Sequence, residues 1–322
     1  MRRLARTGIL ALIVVVTMGG GGCRRKPKPA PSPSPGGPPQ AVRQPLEGGP
    51  YPAIVLAQAW FYKDAQGATK PGPARLEIWR LSPDGWRSTR LEDPDSNVFH
   101  KVILRDGGIV TIGAEQAMLK KWRWNGKEWS SETLWRRKWG GRFNRLRDIE
   151  IGDVDGDGQE EYVIATHDAG VVAVVDPPVG GGAAKVVELD ERPDTFVHEI
   201  EIGDIDGDGK LEFFATPSER NRVGVSQAGQ VVMYRWDGSS YRRSIVDAFA
   251  GRHAKEILVA DLDRDGRDDL LSVLEAELGE GGRIIRPVDI RQYSQRMDGS
   301  FSHRSLATIQ DVQCRFLVSG DF

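Results

Sequence analysis

The chain has 322 residues, 39% hydrophobic and 28% charged, with a formal net charge of −2 and two cysteines. It is long enough to bury a sizeable core, its cysteine count excludes a disulfide framework, and its charge balance is not that of a nucleic-acid binder. The charge is uneven: residues 51–322 carry 36 Lys/Arg against 45 Asp/Glu, a net of −9.

Residues 1–22 combine a basic start (Arg2, Arg3, Arg6), an apolar stretch from Gly8 to Met18 and small residues running up to Cys23. Such a stretch falls short of the ~20 residues that span a bilayer, so it predicts a secretory signal rather than a membrane helix. Gly20-Gly21-Gly22-Cys23 resembles a bacterial lipobox, which implies lipidation at Cys23. The protein is thus expected to be exported and lipid-anchored to a bacterial membrane, facing the periplasm or the exterior. Residues 23–50 form a proline-rich tether, with nine prolines among the twenty-seven residues from Arg24 to Pro50. At ~3.1 Å per residue in polyproline II this spacer reaches up to ~80 Å.

From residue 51 the pattern is β-type. Aromatic runs broken by Asx-Gly turns recur at Trp79–Trp86, Trp122–Trp129, Tyr234–Tyr241 and Tyr293–Phe301, and Asn-Gly and Asp-Gly suit two-residue hairpins. Between them Lys120–Arg147 is rich in basic residues and tryptophan. Alternation of Trp122 and Trp124 with Lys121 and Arg123 predicts a strand packing one face, leaving Trp135 and Trp139, in the following loop, open to a glycan.

Three acidic loops then carry the chemistry: Asp153-Val-Asp155-Gly-Asp157-Gly-Gln159-Glu-Glu161, Asp204-Ile-Asp206-Gly-Asp208-Gly-Lys210-Leu-Glu212 and Asp261-Leu-Asp263-Arg-Asp265-Gly-Arg267-Asp-Asp269. Carboxylates at positions 1, 3, 5 and 9 repel one another unless a cation sits among them, and hard oxygen ligands in a flexible cage suit Ca²⁺ better than Mg²⁺. The residue at position 7 (Gln159, Lys210, Arg267) offers its carbonyl. An EF-hand would place a Glu at position 12 and a helix after it. Here position 12 is Ile164, Ala215 or Ser272, and short β-branched or aromatic runs lie on both sides. Each loop therefore joins two strands. An earlier stretch, Leu104-Arg105-Asp106-Gly107-Gly108, is a shortened and ligand-poor version.

The loops begin 51 and 57 residues apart, and Val318–Phe322 has the shape of the motif starting again at Asp321. That period describes a repeated supersecondary unit: strand, acidic loop, strand, connection, strand, Asx-Gly hairpin, strand. For one unit the strands are expected at about 148–152, 161–166, 171–176 and 184–189, which makes a four-stranded propeller blade. The loops resemble the FG-GAP/VCBS repeats, the family that includes the integrin α-subunit propeller. The fold class is thus all-β, a propeller (residues 51–322) of five visible units starting near Ala53, Ile109, Glu161, Glu212 and Asp269. The resemblance implies seven blades in a complete protein, hence a truncated chain. It also implies structural calcium on one face and ligands docking on the other.

Six residues before each loop stand His100, Arg147, His198, Lys255 and Arg315. One reading makes them a positive ring for an anionic ligand; the plainer one pairs them with the neighbouring Asp148, Glu199 and Glu256 as exposed ion pairs. No nucleophile elbow, HExxH or phosphate loop is present in the sequence. The expectation is a calcium-stabilised, non-catalytic binding or adhesion scaffold with a protein or glycan partner on the propeller face, a membrane contact through Cys23 and no nucleic acid. The alternative is an extracytoplasmic enzyme or accessory subunit acting on polysaccharide.

Overall fold

Alternation of apolar and polar side chains takes nearly all of the described chain into strands, with one short 3-10 turn (Glu280–Gly282) and no α-helix among the described residues. The computed structural model describes residues 53–140, 144–178, 182–220, 226–296, 298–310 and 317–319. The signal and tether (1–50), Cys23, Arg315 and Asp321 lie outside these residues.

In the first sheet β1 (Ala53–Gln58), β4 (Ala74–Ser82) and β5 (Gly85–Asp93) pair in that order, with a separate hairpin of β2 (Phe61–Lys63) and β3 (Thr69–Pro71) inserted. Four four-stranded antiparallel sheets follow. They comprise β6 (Phe99–Arg105), β7 (Gly108–Gly113), β8 (Ala117–Trp124) and β9 (Trp129–Arg137); then β10 (Leu146–Gly152), β11 (Glu161–Thr166), β12 (Val172–Asp176) and β13 (Lys185–Leu189). Next come β14 (Thr195–Gly203), β15 (Glu212–Glu219), β16 (Gly229–Trp236) and β17 (Tyr241–Phe249). The last holds β18 (Ala254–Ala260), β19 (Asp269–Leu274), an inserted hairpin of β20 (Glu277–Leu278) and β21 (Ile284–Arg286), then β22 (Val288–Gln295) and β23 (Phe301–Ile309). The described residues fall into two compact units, 53–56 with 76–92 and 57–75 with 93–319.

These sheets are propeller blades, and in the blade at 146–189 the strands fall within two residues of their expected places. Complete blades begin one strand earlier than the expected starts. The strand before each acidic loop pairs with the strand after it, as Ile149 with Ile164 and Ile200 with Ala215.

Cores form between successive blades because each second strand turns its two faces to different neighbours. Tyr162 and Ile164 pack toward β6–β9, while Val163 and Ala165 join Phe213 and Ala215; Phe214 faces the next core with Ile257 and Leu270. Position 2 of an acidic loop takes part. Val154 and Ile205 are buried in the core shared with the following blade, whereas Leu262 is 43% exposed.

The shortened loop is a two-residue hairpin: Asp106 and Gly107 both have positive φ (49° and 66°), the type I′ pattern, and Lys121 Nζ donates to Asp106 at 2.9 Å. The tryptophans do not present a sugar platform. Trp135 lies within β9 rather than a loop, and it packs edge-on against Trp139 (5.8 Å) in the core toward β10–β13. Trp122 is buried with its indole N–H on Thr111, and Trp124, 43% exposed, packs against Trp129 (5.8 Å).

Candidate functional site

The three acidic loops share one internal hydrogen-bond scheme. Position 1 gathers the turn: Asp153 accepts from Gly156 N and Gly158 N (2.8 and 3.0 Å), Asp204 from Gly207 N and Gly209 N (2.8 and 2.8 Å), Asp261 from Asp265 N and Gly266 N (3.0 and 3.1 Å). The glycine at position 6 has φ of 88°, 82° or 90°, which explains its place in the motif. Position 5 closes an Asx turn onto position 7, Asp157 to Gln159 N, Asp208 to Lys210 N and Asp265 to Arg267 N. Position 9 accepts from position 2: Glu161 from Val154 N, Glu212 from Ile205 N and Asp269 from Leu262 N.

In each loop three carboxylates bring one oxygen within 4.8 Å of the others, so each can hold a metal ion, but the sets differ. They are Asp153, Asp155 and Glu161; Asp204, Asp206 and Glu212; and Asp261, Asp263 and Asp265. Thus Asp157 and Asp208 stand outside the converging sets. Asp269 is held aside by Gln292, whose Nε2 donates to it at 2.8 Å. The first loop fits a cation best. Glu161 is 1% exposed, its Oε1 is buried with no hydrogen-bond partner, and burial with Asp155, Asp153 and Asp157 nearby pushes its carboxyl up to about 7. A cation there would satisfy the orphaned oxygen and relieve the repulsion.

A second cluster lies on the first strands of four blades, which run side by side. Counting back five residues from Asp106, Asp153, Asp204 and Asp261 gives Lys101, Asp148, Glu199 and Glu256. Lys101 Nζ is 2.7 Å from Asp148 Oδ1 and 2.5 Å from Glu150 Oε1. Asp148, 4% exposed, also accepts from Ile200 N at 2.9 Å and from the Glu199 carboxyl. Burial works against the Asp148 charge, but Lys101, Glu199 and Ile200 N together hold its pKa low. Burial also opposes the Lys101 charge, and Asp148 and Glu150 outweigh it. The remaining acids go the other way. Burial, then Asp148 and Glu256, hold Glu199 protonated; burial and Glu150 push Glu201 up to about 8; burial and Asp148 push Glu256 up to about 7. One Glu256 oxygen, Oε2, is buried without a hydrogen-bond partner. Carboxyls that titrate near neutrality beside fixed charges can donate and accept protons.

The expected basic ring is only partly a ring of charge. His198 is 1% exposed, stacked on His253 (5.2 Å), edge-on to His167 (5.7 Å) and 3.1 Å from Ser218 Oγ. Burial and the nearby Lys255 and His253 keep it well below the usual histidine range. Burial, Arg147 and Arg145 take His100 down to about 3. Both are neutral at pH 7, so of the four described positions Arg147 and Lys255 alone supply charge. The expected pairing with sequence neighbours is also replaced: Asp148 and Glu199 bond across blades. Of this inner row, Asp148, Glu199 and Glu256 were expected only as partners of the ring; Lys101 and the meeting of all four across blades were not, although their fixed offset from each loop was the signal for it.

Residues 204–272 match the family model of the FG-GAP-like repeat. No curated protein matches the sequence. Among solved structures, one described as a candidate 6-phosphogluconolactonase from Bacteroides uniformis ATCC 8492 aligns at 11% identity over 80% of this chain and 72% of its own, TM-score 0.46. A protein from Lactobacillus plantarum aligns at 8% over 77% and 84%, TM-score 0.43. Another candidate 6-phosphogluconolactonase, from Bacteroides fragilis NCTC 9343, aligns at 11% over 77% and 66%, TM-score 0.43. None of these structures is described as an adhesion scaffold, and the expectation of a non-catalytic one is not upheld. At this level of likeness they say nothing about a substrate.

Proposed function

We propose, for a chain that carries an FG-GAP-like repeat, that the inner row is an acid–base site for a small polar molecule, built on blades whose acidic loops take calcium. One observation carries the reading: side chains at a single offset from four loops, on four different blades, meet as Lys101, Asp148, Glu199 and Glu256, with Glu150 and Glu201 beside them. Lys101 is a fixed positive charge, and Asp148, saturated by its partners, anchors it. Glu201 and Glu256 are half-buried and titrate near neutrality, which suits proton donation to a carbonyl or acetal oxygen and proton abstraction from water.

The test is turnover of small chromogenic esters, lactones and glycosides across pH, with Ca²⁺ present. Turnover of one class is expected, with Glu201→Gln and Glu256→Gln lowering kcat by about 10²-fold or more while melting is retained. No turnover in any class, or variants as active as the parent, would sink the reading. Export and lipid anchoring through Cys23 belong to the same proposal; labelling by a fatty-acid analogue, lost in Cys23→Ser, checks them.

A further inference from the structure

The acidic loops are alike in sequence, yet what faces them across the sheet is not. One step beyond the pairs Tyr162–Val175, Phe213–Tyr234 and Leu270–Tyr293, the residue opposite position 9 is Asp176, Arg235 or Ser294. In the second loop Arg235 reaches into the carboxylates: its Nη2 is 2.6 Å from Asp206 Oδ2 and its Nε 2.8 Å from Glu212 Oε1. Those are two of the three groups whose oxygens converge there. In the first loop the corresponding Glu161 oxygen has no partner, and an acid stands across the strand. The ligand-poor hairpin shows the same device in fuller form, with Lys121 and Arg105 on the lone Asp106.

We infer that Arg235 is a built-in counter-cation of the second loop, so that this loop keeps its fold without metal while the first loop depends on it. A guanidinium that donates to one carboxylate and lies at ion-pair distance from a second supplies part of the charge a divalent ion would bring. A metal entering the second loop must displace the guanidinium from Asp206 and Glu212, so Ca²⁺ binds there more weakly than at Asp153, Asp155 and Glu161. The blades thereby divide into metal-dependent and metal-independent ones, set by a single residue on the third strand.

Hydrogen exchange read by mass spectrometry on the full chain, in Ca²⁺ and after chelation, tests this without any activity. Chelation should speed exchange in residues 153–166 by about tenfold or more and leave residues 204–219 little changed. Arg235→Gln should make 204–219 depend on Ca²⁺ as 153–166 does, and Arg235→Lys, which keeps a cation, should restore independence in part. Equal responses of the two loops in the parent, whether both lose protection or neither does, overturn the inference. So does an Arg235→Gln chain whose second loop stays indifferent to Ca²⁺. Were that variant not to fold, the comparison of the two loops in the parent would decide alone.

Discussion

A buried carboxylate needs partners, and Asp148 has three: Lys101, the Glu199 carboxyl and Ile200 N. Lys101→Met removes the charged one and leaves an uncompensated ion, so it should cost about 3–5 kcal/mol in urea unfolding; Lys101→Met with Asp148→Asn should recover much of that loss. The neighbouring acids predict a pH dependence of opposite sense. Glu201 and Glu256 bind their protons more tightly folded (about 8 and about 7) than an unfolded Glu does, so between the unfolded value and these pKa values the native state holds protons the unfolded chain has lost. Stability must then fall as pH rises. Glu199 and Glu150 add to this trend, while buried His100, His167 and His198, all lowered, oppose it below about pH 6.5. Lys101 stays charged throughout and Asp148 stays ionised. The melting temperature in Ca²⁺ should therefore be nearly level between pH 5 and 6.5 and drop from 6.5 to 8. Glu201→Gln with Glu256→Gln should flatten that drop; an unchanged slope would show that the two acids titrate normally.

Each acidic loop is also a joint to the next blade. Asp268 accepts from Asp204 N at 2.8 Å and its own N–H donates to Asp204 O at 2.9 Å, linking the third loop to the second. That approach leaves no room at Gly203, where a methyl group would lie 2.3 Å from Val259 Cγ1 and 2.5 Å from Asp268 Oδ2. Gly203→Ala should cost about 1–3 kcal/mol by overpacking and by pulling the two loops apart. The same change at Gly209 meets open space and is penalised only through its φ of 82°, by about 1 kcal/mol. Paired urea titrations would separate the two causes. The strands and their order were legible because period-2 patterning and the Asp spacing are local signals. Lys101 with Asp148, Asp268 with Asp204 and Arg235 with Asp206 were not, since each joins elements whose register is fixed only by pairing and packing. The histidines misled for a related reason: sequence gives their spacing, whereas burial against Phe196, His253 and Ser218 decides that His198 is neutral.

For the whole molecule the acidic loops set a charge balance that metal can change. Residues 51–322 carry a net of −9, and twelve of the acids occupy positions 1, 3, 5 and 9 of the three loops. Ligand binding to the native state alone adds stability with ligand concentration, about 2.7 kcal/mol per site at a hundredfold excess over Kd. Ca²⁺ should thus raise the melting temperature, Mg²⁺ should do so less because it resists crowded all-protein cages, and chelation should reverse the gain. Added salt should recover only part of it, since screening weakens repulsion at the exposed third loop more than around buried Glu161. A sharper expectation follows from the orphaned Glu161 oxygen. Glu161→Gln removes a carboxyl that is costly without a cation, so the chelated protein should melt no lower than its parent, while most of the Ca²⁺-induced rise disappears. A variant that loses stability equally with and without Ca²⁺ would mean that Glu161 serves the fold through Val154 N alone and that the first loop is not where the metal acts.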